Sequence, residues 1–97
     1  MPTYVMLANW TDQGVRLIED SPKRVDAARK SLEDMGGHFL SVLMTMGAFD
    51  MVIIYDAPDD AVAARFTLLL GKLGYVRTTS LKGFPEEAYR QIVNSLR

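Results

Sequence analysis

The run Met51-Val52-Ile53-Ile54-Tyr55 is apolar at five successive positions. A strand with one face in water alternates apolar and polar residues, so an unbroken run needs cover on both faces. The chain has 97 residues, and a domain of this size buries only about 60 to 65% of the surface it would expose unfolded. Its own core is therefore modest, and cover from outside becomes part of the folding problem.

The rest of the chain is clearly punctuated. Thr3 to Asn9 reads as the first strand, with Tyr4-Val5-Met6-Leu7 apolar without interruption. Thr11-Asp12-Gln13-Gly14 is polar, and Val15 to Ile18 reads as one loose turn. Ser21-Pro22 predicts a helix start, with serine at the N-cap and proline at the first helical position. Val25, Ala28, Leu32 and Met35, three and four apart, carry that helix to Met35, and Gly36-Gly37 stops it. His38 to Met46 and Asp50 to Asp56 read as two strands joined by a hairpin at Gly47-Ala48-Phe49. Ala57-Pro58-Asp59-Asp60 opens a second helix, which reaches about Lys72. Tyr75 to Lys82 is the fourth strand, and Gly83-Phe84-Pro85-Glu86-Glu87 starts a last helix with Phe84, Ala88, Ile92 and Leu96 four apart. The six methionines read most simply as core filling.

Strand, helix, strand, strand, helix, strand is the order of the split βαβ, ferredoxin-like fold. The expectation is one α+β domain over residues 1–97, with a four-stranded antiparallel sheet and an extra C-terminal helix. Both main helices lie on one sheet face, so the other is open. The second strand is read with Phe39 and Leu43 on one face and with Leu40, Val42, Met44 and Met46 spread across both. Four strands at ~4.8 Å spacing and ~18 Å length give a face of about 350 Å² in projection. An apolar patch of that size marks an interface. The expected occupant is a second copy, giving a homodimer or higher oligomer of the dimeric α+β barrel kind. The rival cover is the last helix, which is too narrow for four strands.

Composition removes several function classes. The chain has 11 basic and 12 acidic residues, a net charge of -1, and nucleic-acid binding usually needs a clear basic excess. It has no cysteine, which excludes disulfides and thiolate chemistry. With no secretory pattern at the start and no apolar run near the roughly 18 residues of a membrane span, the expectation is a soluble cytoplasmic chain with no membrane partner. No cofactor or metal is expected. Gly71-Lys72 is followed by Leu73, so the phosphate-loop pattern fails, and His38, the single histidine, cannot build a multi-histidine site.

The candidate site residues each have a plain and a sharper reading. Gly47 and Asp50 suit a turn; alternatively the Asp50 carboxylate faces a subunit cleft. His38 suits a solvated or structurally bonded position; alternatively it is a general base. Lys23 and Arg24 sit in the first turn of a helix, where positive charge opposes the dipole. The four-apart pairs Asp26–Lys30, Arg29–Glu33 and Lys30–Asp34 account for the acids at the far end. They leave Lys23 and Arg24 unexplained, and two cations beside free helix-start amides would hold an anion. Arg77 suits a polar edge strand or an ion pair in an interface. Trp10 and Tyr4 are expected to pack or to line the space between helices and sheet.

Gly47-Ala48-Phe49-Asp50, followed by an apolar strand and Ala57-Pro58-Asp59-Asp60, resembles the GYD domain family. Thr11-Asp12-Gln13-Gly14, Ser21-Pro22-Lys23-Arg24, Thr45-Met46-Gly47 and Gly74-Tyr75-Val76-Arg77-Thr78-Thr79 extend the likeness over nearly the whole chain. The resemblance implies a small ferredoxin-like protein that works as a dimer or higher oligomer, and it brings no established activity. Phe49 stands where the family has tyrosine, so no role can rest on that hydroxyl. The hairpin also resembles, more weakly, the effector-binding domain of leucine-responsive transcription regulators, in which small effectors sit between subunits. Together these imply a small-molecule-binding or assembly domain, with Lys23, Arg24, Gly47, Phe49, Asp50 and Arg77 facing an anionic or amino-acid-like ligand. By fold analogy, a monooxygenase-like enzyme using His38 or Asp50 as base is the alternative.

Overall fold

The computed structural model describes residues 1–97. Its elements run β1 (Thr3–Trp10), α1 (Asp12–Arg16), a 3₁₀ turn (Ile18–Asp20), α2 (Ser21–Asp34), β2 (His38–Met44), β3 (Met51–Asp56), α3 (Asp60–Leu73), β4 (Val76–Gly83) and α4 (Glu86–Asn94). The four strands form one antiparallel sheet in the order β2-β3-β1-β4. This is the expected ferredoxin-like α+β arrangement with an added C-terminal helix.

The segment Val15 to Ile18 is more regular than a loose turn. Thr11 caps α1, its hydroxyl accepting from the Gly14 N–H at 3.1 Å and donating to the Gly74 carbonyl at 2.7 Å. The 3₁₀ turn then runs straight into α2, and this changes the role of Ser21. Ser21 lies inside the helix, Asp20 is the cap residue, and no side chain caps α2. The reason is local: the Ser21 N–H donates to the Ile18 carbonyl, so the preceding turn supplies an acceptor that a side chain would otherwise provide. Pro22 still falls in the first turn, as expected.

The hairpin loop is longer than Gly47-Ala48-Phe49. Thr45 closes it from both ends: its N–H donates to the Asp50 carbonyl at 2.8 Å, and its hydroxyl to the Phe49 carbonyl at 2.6 Å. Regular pairing therefore stops at Met44 and resumes at Met51. Gly47, at φ +140°, takes a conformation that side chains resist.

Strand register decides which residues face the helices. Phe39, Tyr55, Tyr4 and Lys82 form one row across the sheet, and Val42, Ile53, Met6 and Ser80 form the next row on that side. These rows meet Ala28 and Leu32 of α2 and Ala63 and Phe66 of α3 in the core. Tyr55 is central: its ring stacks on Tyr4 at 5.3 Å and meets Phe66 edge-on at 5.3 Å. Phe39 and Leu43 do not share a face. A β-bulge between Phe39 and Ser41 adds one residue to β2, so Phe39 pairs with Tyr55 toward the helices while Leu43 pairs with Val52 on the far side. Nor do all methionines fill the core: Met6 is fully buried, whereas Met1, Met44 and Met46 are exposed.

The far side of the sheet is uncovered by any element of the chain. Ser41-Ile54-Val5-Leu81 and Leu43-Val52-Leu7-Thr79 are its two central rows. Helix α4 does not close over it. It scarcely touches the rest of the chain, and Phe84, Tyr89, Ile92, Val93 and Leu96 stay exposed. The molecule extends 52 Å along its longest axis, with a radius of gyration of 14.5 Å. A compact domain of this length would have a radius of about 12.5 Å. No helix is long and apolar enough to cross a membrane.

Candidate functional site: an apolar cleft and an open sheet face

Three surface regions carry chemistry. The first is a cleft between α2, α3 and the sheet. It has a volume of about 140 Å³, and 13 of its 16 lining residues are hydrophobic. Small side chains leave it room: Ala8, Ala27 and Ala28 line it, together with Met6, Ile53, Leu70 and Val76. An enclosed void of that volume would cost about 3 kcal/mol, a large share of the stability of a small domain. Trp10 and Tyr75 also line it, and Tyr4 packs in the core, as expected for Trp10 and Tyr4.

Arg24 lines the cleft beside Tyr75. Its guanidinium donates to the Leu17 carbonyl at 2.9 Å and to the Gly14 carbonyl at 3.3 Å. Its carbon lies 4.5 Å from the centre of the Tyr75 ring, within cation–π range. No carboxylate pairs with it. Lys23 is exposed and does not line the cleft, so the two adjacent cations do not converge. Along α2 the ion pairs are Arg29 with Asp26 at 3.0 Å and Lys30 with Asp34 at 3.3 Å; Arg29 reaches back to Asp26 and not forward to Glu33.

The second region is the open sheet face. Its apolar centre, built on Val5, Leu7, Val52, Ile54, Leu43 and Leu81, is bracketed by polar rows. At one end His38 pairs with Asp56, 3.1 Å between His38 Nδ1 and Asp56 Oδ1. At the other end Asn9 pairs with Arg77 next to Asp50. Asp50 continues the ladder by other means: its N–H donates to the Ala8 carbonyl at 2.9 Å, and its carboxylate accepts from the Trp10 N–H at 3.0 Å. The structure thus gathers Asp50 and Arg77 at one end of the sheet, with Gly47 and Phe49 in the adjoining loop. It sets His38 at the opposite end and Arg24 on the helix side. Arg77 is exposed and has no ion-pair partner.

The third region, unanticipated from sequence, is a groove between α3 and the β4 edge. The Tyr4 hydroxyl donates to Asp60 at 2.6 Å, and Lys82 approaches the same carboxylate at 3.0 Å. Burial, and then the Asp60 hydrogen bond, push the Tyr4 pKa up to about 12. The hydrogen bonds from Tyr4 and Lys82 hold the Asp60 carboxyl below its ordinary range. Beneath them the Tyr55 hydroxyl is buried without a hydrogen-bond partner. Burial raises its pKa, and the nearby Thr67 offsets part of the rise. The Thr67 proton itself goes to the Ala63 carbonyl at 2.9 Å. Tyr4 and Asp60 are 56 residues apart, so only the sheet register reveals the cluster. No three His, Asp or Glu side chains come together as a metal site would require.

The GYD domain model matches residues 4–93, from the start of β1 to the end of the apolar face of α4. The chain belongs to the GYD domain family. Among proteins similar to this GYD-family chain is one from Thermus thermophilus named glutamine synthetase and cystathionine beta-lyase binding protein. It is 33% identical over 86 residues, covering 88% of this chain and 90% of that protein. No solved structure matches the chain at a significant level.

Proposed function

We propose that this GYD-family chain is a non-catalytic binding domain. In this reading it associates with a second copy through its open sheet face, and the assembly binds a cytoplasmic enzyme of amino-acid metabolism, a glutamine synthetase or a cystathionine β-lyase. The name of the Thermus relative supports the choice of partner. The observation that carries the binding role is the pair of apolar rows, Ile54-Val5-Leu81 and Leu43-Val52-Leu7, left without cover on the chain's own elements.

Area argues for a second copy. A stable interface buries about 800 Å² on each partner, and the sheet face offers roughly 350 Å² in projection. The exposed apolar stripe of α4 offers more. A helix of 9 residues is too short to hold its shape unaided in water, so α4 needs a surface to lie on. In a two-fold pair, each α4 reaches across the other copy and adds the missing area.

The alternative, an enzyme of the dimeric-barrel kind, would use His38 or Asp50 as base. Neither lines the apolar cleft. His38 is exposed and paired with Asp56, and the Asp50 carboxylate is engaged by the Trp10 N–H.

Two measurements test the proposal. Light scattering of the purified chain should give a multiple of 10.9 kDa, and Leu7→Lys should return it to the monomer. Purified glutamine synthetase and cystathionine β-lyase from the same host should each be tested for co-elution with it. A wild-type monomer at micromolar concentration would defeat the self-association. Failure of both enzymes to co-elute would defeat the choice of partner.

A further inference from the structure

We propose that the cleft between α2, α3 and the sheet binds a small carboxylic acid, its apolar body filling the cleft and its carboxylate resting on Arg24. The volume, about 140 Å³, is close to that of an engineered apolar cavity, about 150 Å³, that stays dry and takes up benzene. The body is therefore a single six-membered ring or a branched chain of similar bulk. The lining offers it Met6, Ala8, Ala28, Ile53, Leu70 and Val76.

Arg24 identifies the head group. It is a half-buried member of this lining and has no acidic partner. Its guanidinium is fixed by the Leu17 and Gly14 carbonyls and by the Tyr75 ring. A guanidinium has five N–H donors, and two are taken by those carbonyls. The remaining donors, held in a planar fork, match a carboxylate better than any neutral group. An ammonium would meet like charge at the same place. The inference concerns a different surface from the open sheet face, so either reading can fail alone.

The probes are benzoate, benzylamine and toluene, added to the full chain and followed by amide chemical shifts in ¹⁵N NMR and by thermal melting. Benzoate should shift the amides of Ala8, Ala28 and Val76 and raise the melting temperature. It should bind at least about tenfold more tightly than benzylamine, the difference expected of a charged hydrogen bond. Arg24→Gln should lose that preference and still take up toluene. Ala28→Leu, which fills the cleft and leaves Arg24 in place, should lose both benzoate and toluene. The benzoate–benzylamine comparison on the wild-type chain needs no variant and stands if either variant fails to fold. Equal binding of benzoate and benzylamine, undiminished benzoate binding by Arg24→Gln, or shifts confined to residues outside the cleft would each overturn the proposal.

Discussion

Two stacked tyrosines give opposite predictions for the same substitution. Tyr55 is 0% exposed, and its hydroxyl has no hydrogen-bond partner. An unpaired buried hydroxyl costs about 1 to 3 kcal/mol. Tyr55→Phe removes that term and keeps the ring contacts with Tyr4 and Phe66. It leaves an oxygen-sized gap of roughly 15 Å³, which costs about 0.4 kcal/mol. The net effect is a gain of about 0.6 to 2.6 kcal/mol, and each kcal/mol raises the melting temperature of a domain of this size by roughly 4 to 8 °C. Tyr4→Phe should act the other way, because its hydroxyl donates to Asp60 at 2.6 Å. The assay is thermal and urea unfolding followed by circular dichroism at two protein concentrations, since association also shifts the midpoint. A loss of several degrees in Tyr55→Phe at both concentrations would show that this hydroxyl is bonded in solution, and the argument from its isolation would fall.

Further outcomes follow from single contacts. Gly14→Ala places a methyl 2.2 Å from the Tyr75 carbonyl oxygen; the clash should displace α1, loosen the Arg24 anchor and cost about 1 to 3 kcal/mol in urea unfolding. Asp50→Ala removes the acceptor for the Trp10 N–H and should cost about 1 kcal/mol, whereas Asp50→Asn should stay close to wild type; equal losses would show that the charge matters more than the acceptor. In a spectrophotometric titration, Tyr4 should ionise near pH 12, above its ordinary 10.0, and Tyr55 should also ionise late. A raised native pKa means that the unfolded chain loses its proton first, so the contribution of Tyr4 is complete below pH 10 and is lost as pH rises toward about 12. Phenolate absorbance from all four tyrosines near pH 10 in the folded protein would contradict it.

The fold was legible because glycines, prolines and apolar runs mark its joints. Gly36 and Gly74 do end helices in the left-handed conformation, and Pro22 does open one. What escaped depends on neighbours in space. Whether Ser21 caps a helix depends on what the preceding turn already supplies, and propensity carries no record of that. The limits of β2 and β3 follow from the closure of their loop by Thr45. Arg24 stood out in sequence as a cation at the wrong end of a helix. Its stabilising partners, the Leu17 and Gly14 carbonyls, come from a turn that no helical spacing would bring to it. The Tyr4–Asp60–Lys82 cluster was hidden more deeply, because Asp60 already had a sufficient local explanation as an acid at a helix start. Its link to Tyr4 crosses from α3 to the sheet.

The bulge in β2 decides which of its residues meet the helices and which face out. Side chains alternate along a strand, so Phe39 and Val42, three positions apart, would ordinarily point to opposite faces. The extra residue between Phe39 and Ser41 restores both to the helix side, Phe39 against Tyr55 and Val42 against Ile53. The same shift turns Leu43 outward beside Val52, completing an apolar row that runs through Leu7. Without the bulge, β2 would turn Ser41 and Leu43 toward the helices and Leu40 and Val42 outward, so the bulge keeps the Ser41 hydroxyl out of the core and sets Leu43 beside Val52 on the open face. Polar rows at both ends, His38-Asp56-Thr3 and Asp50-Asn9-Arg77, give this patch a rim. An apolar centre with a polar rim is the composition of a protein interface.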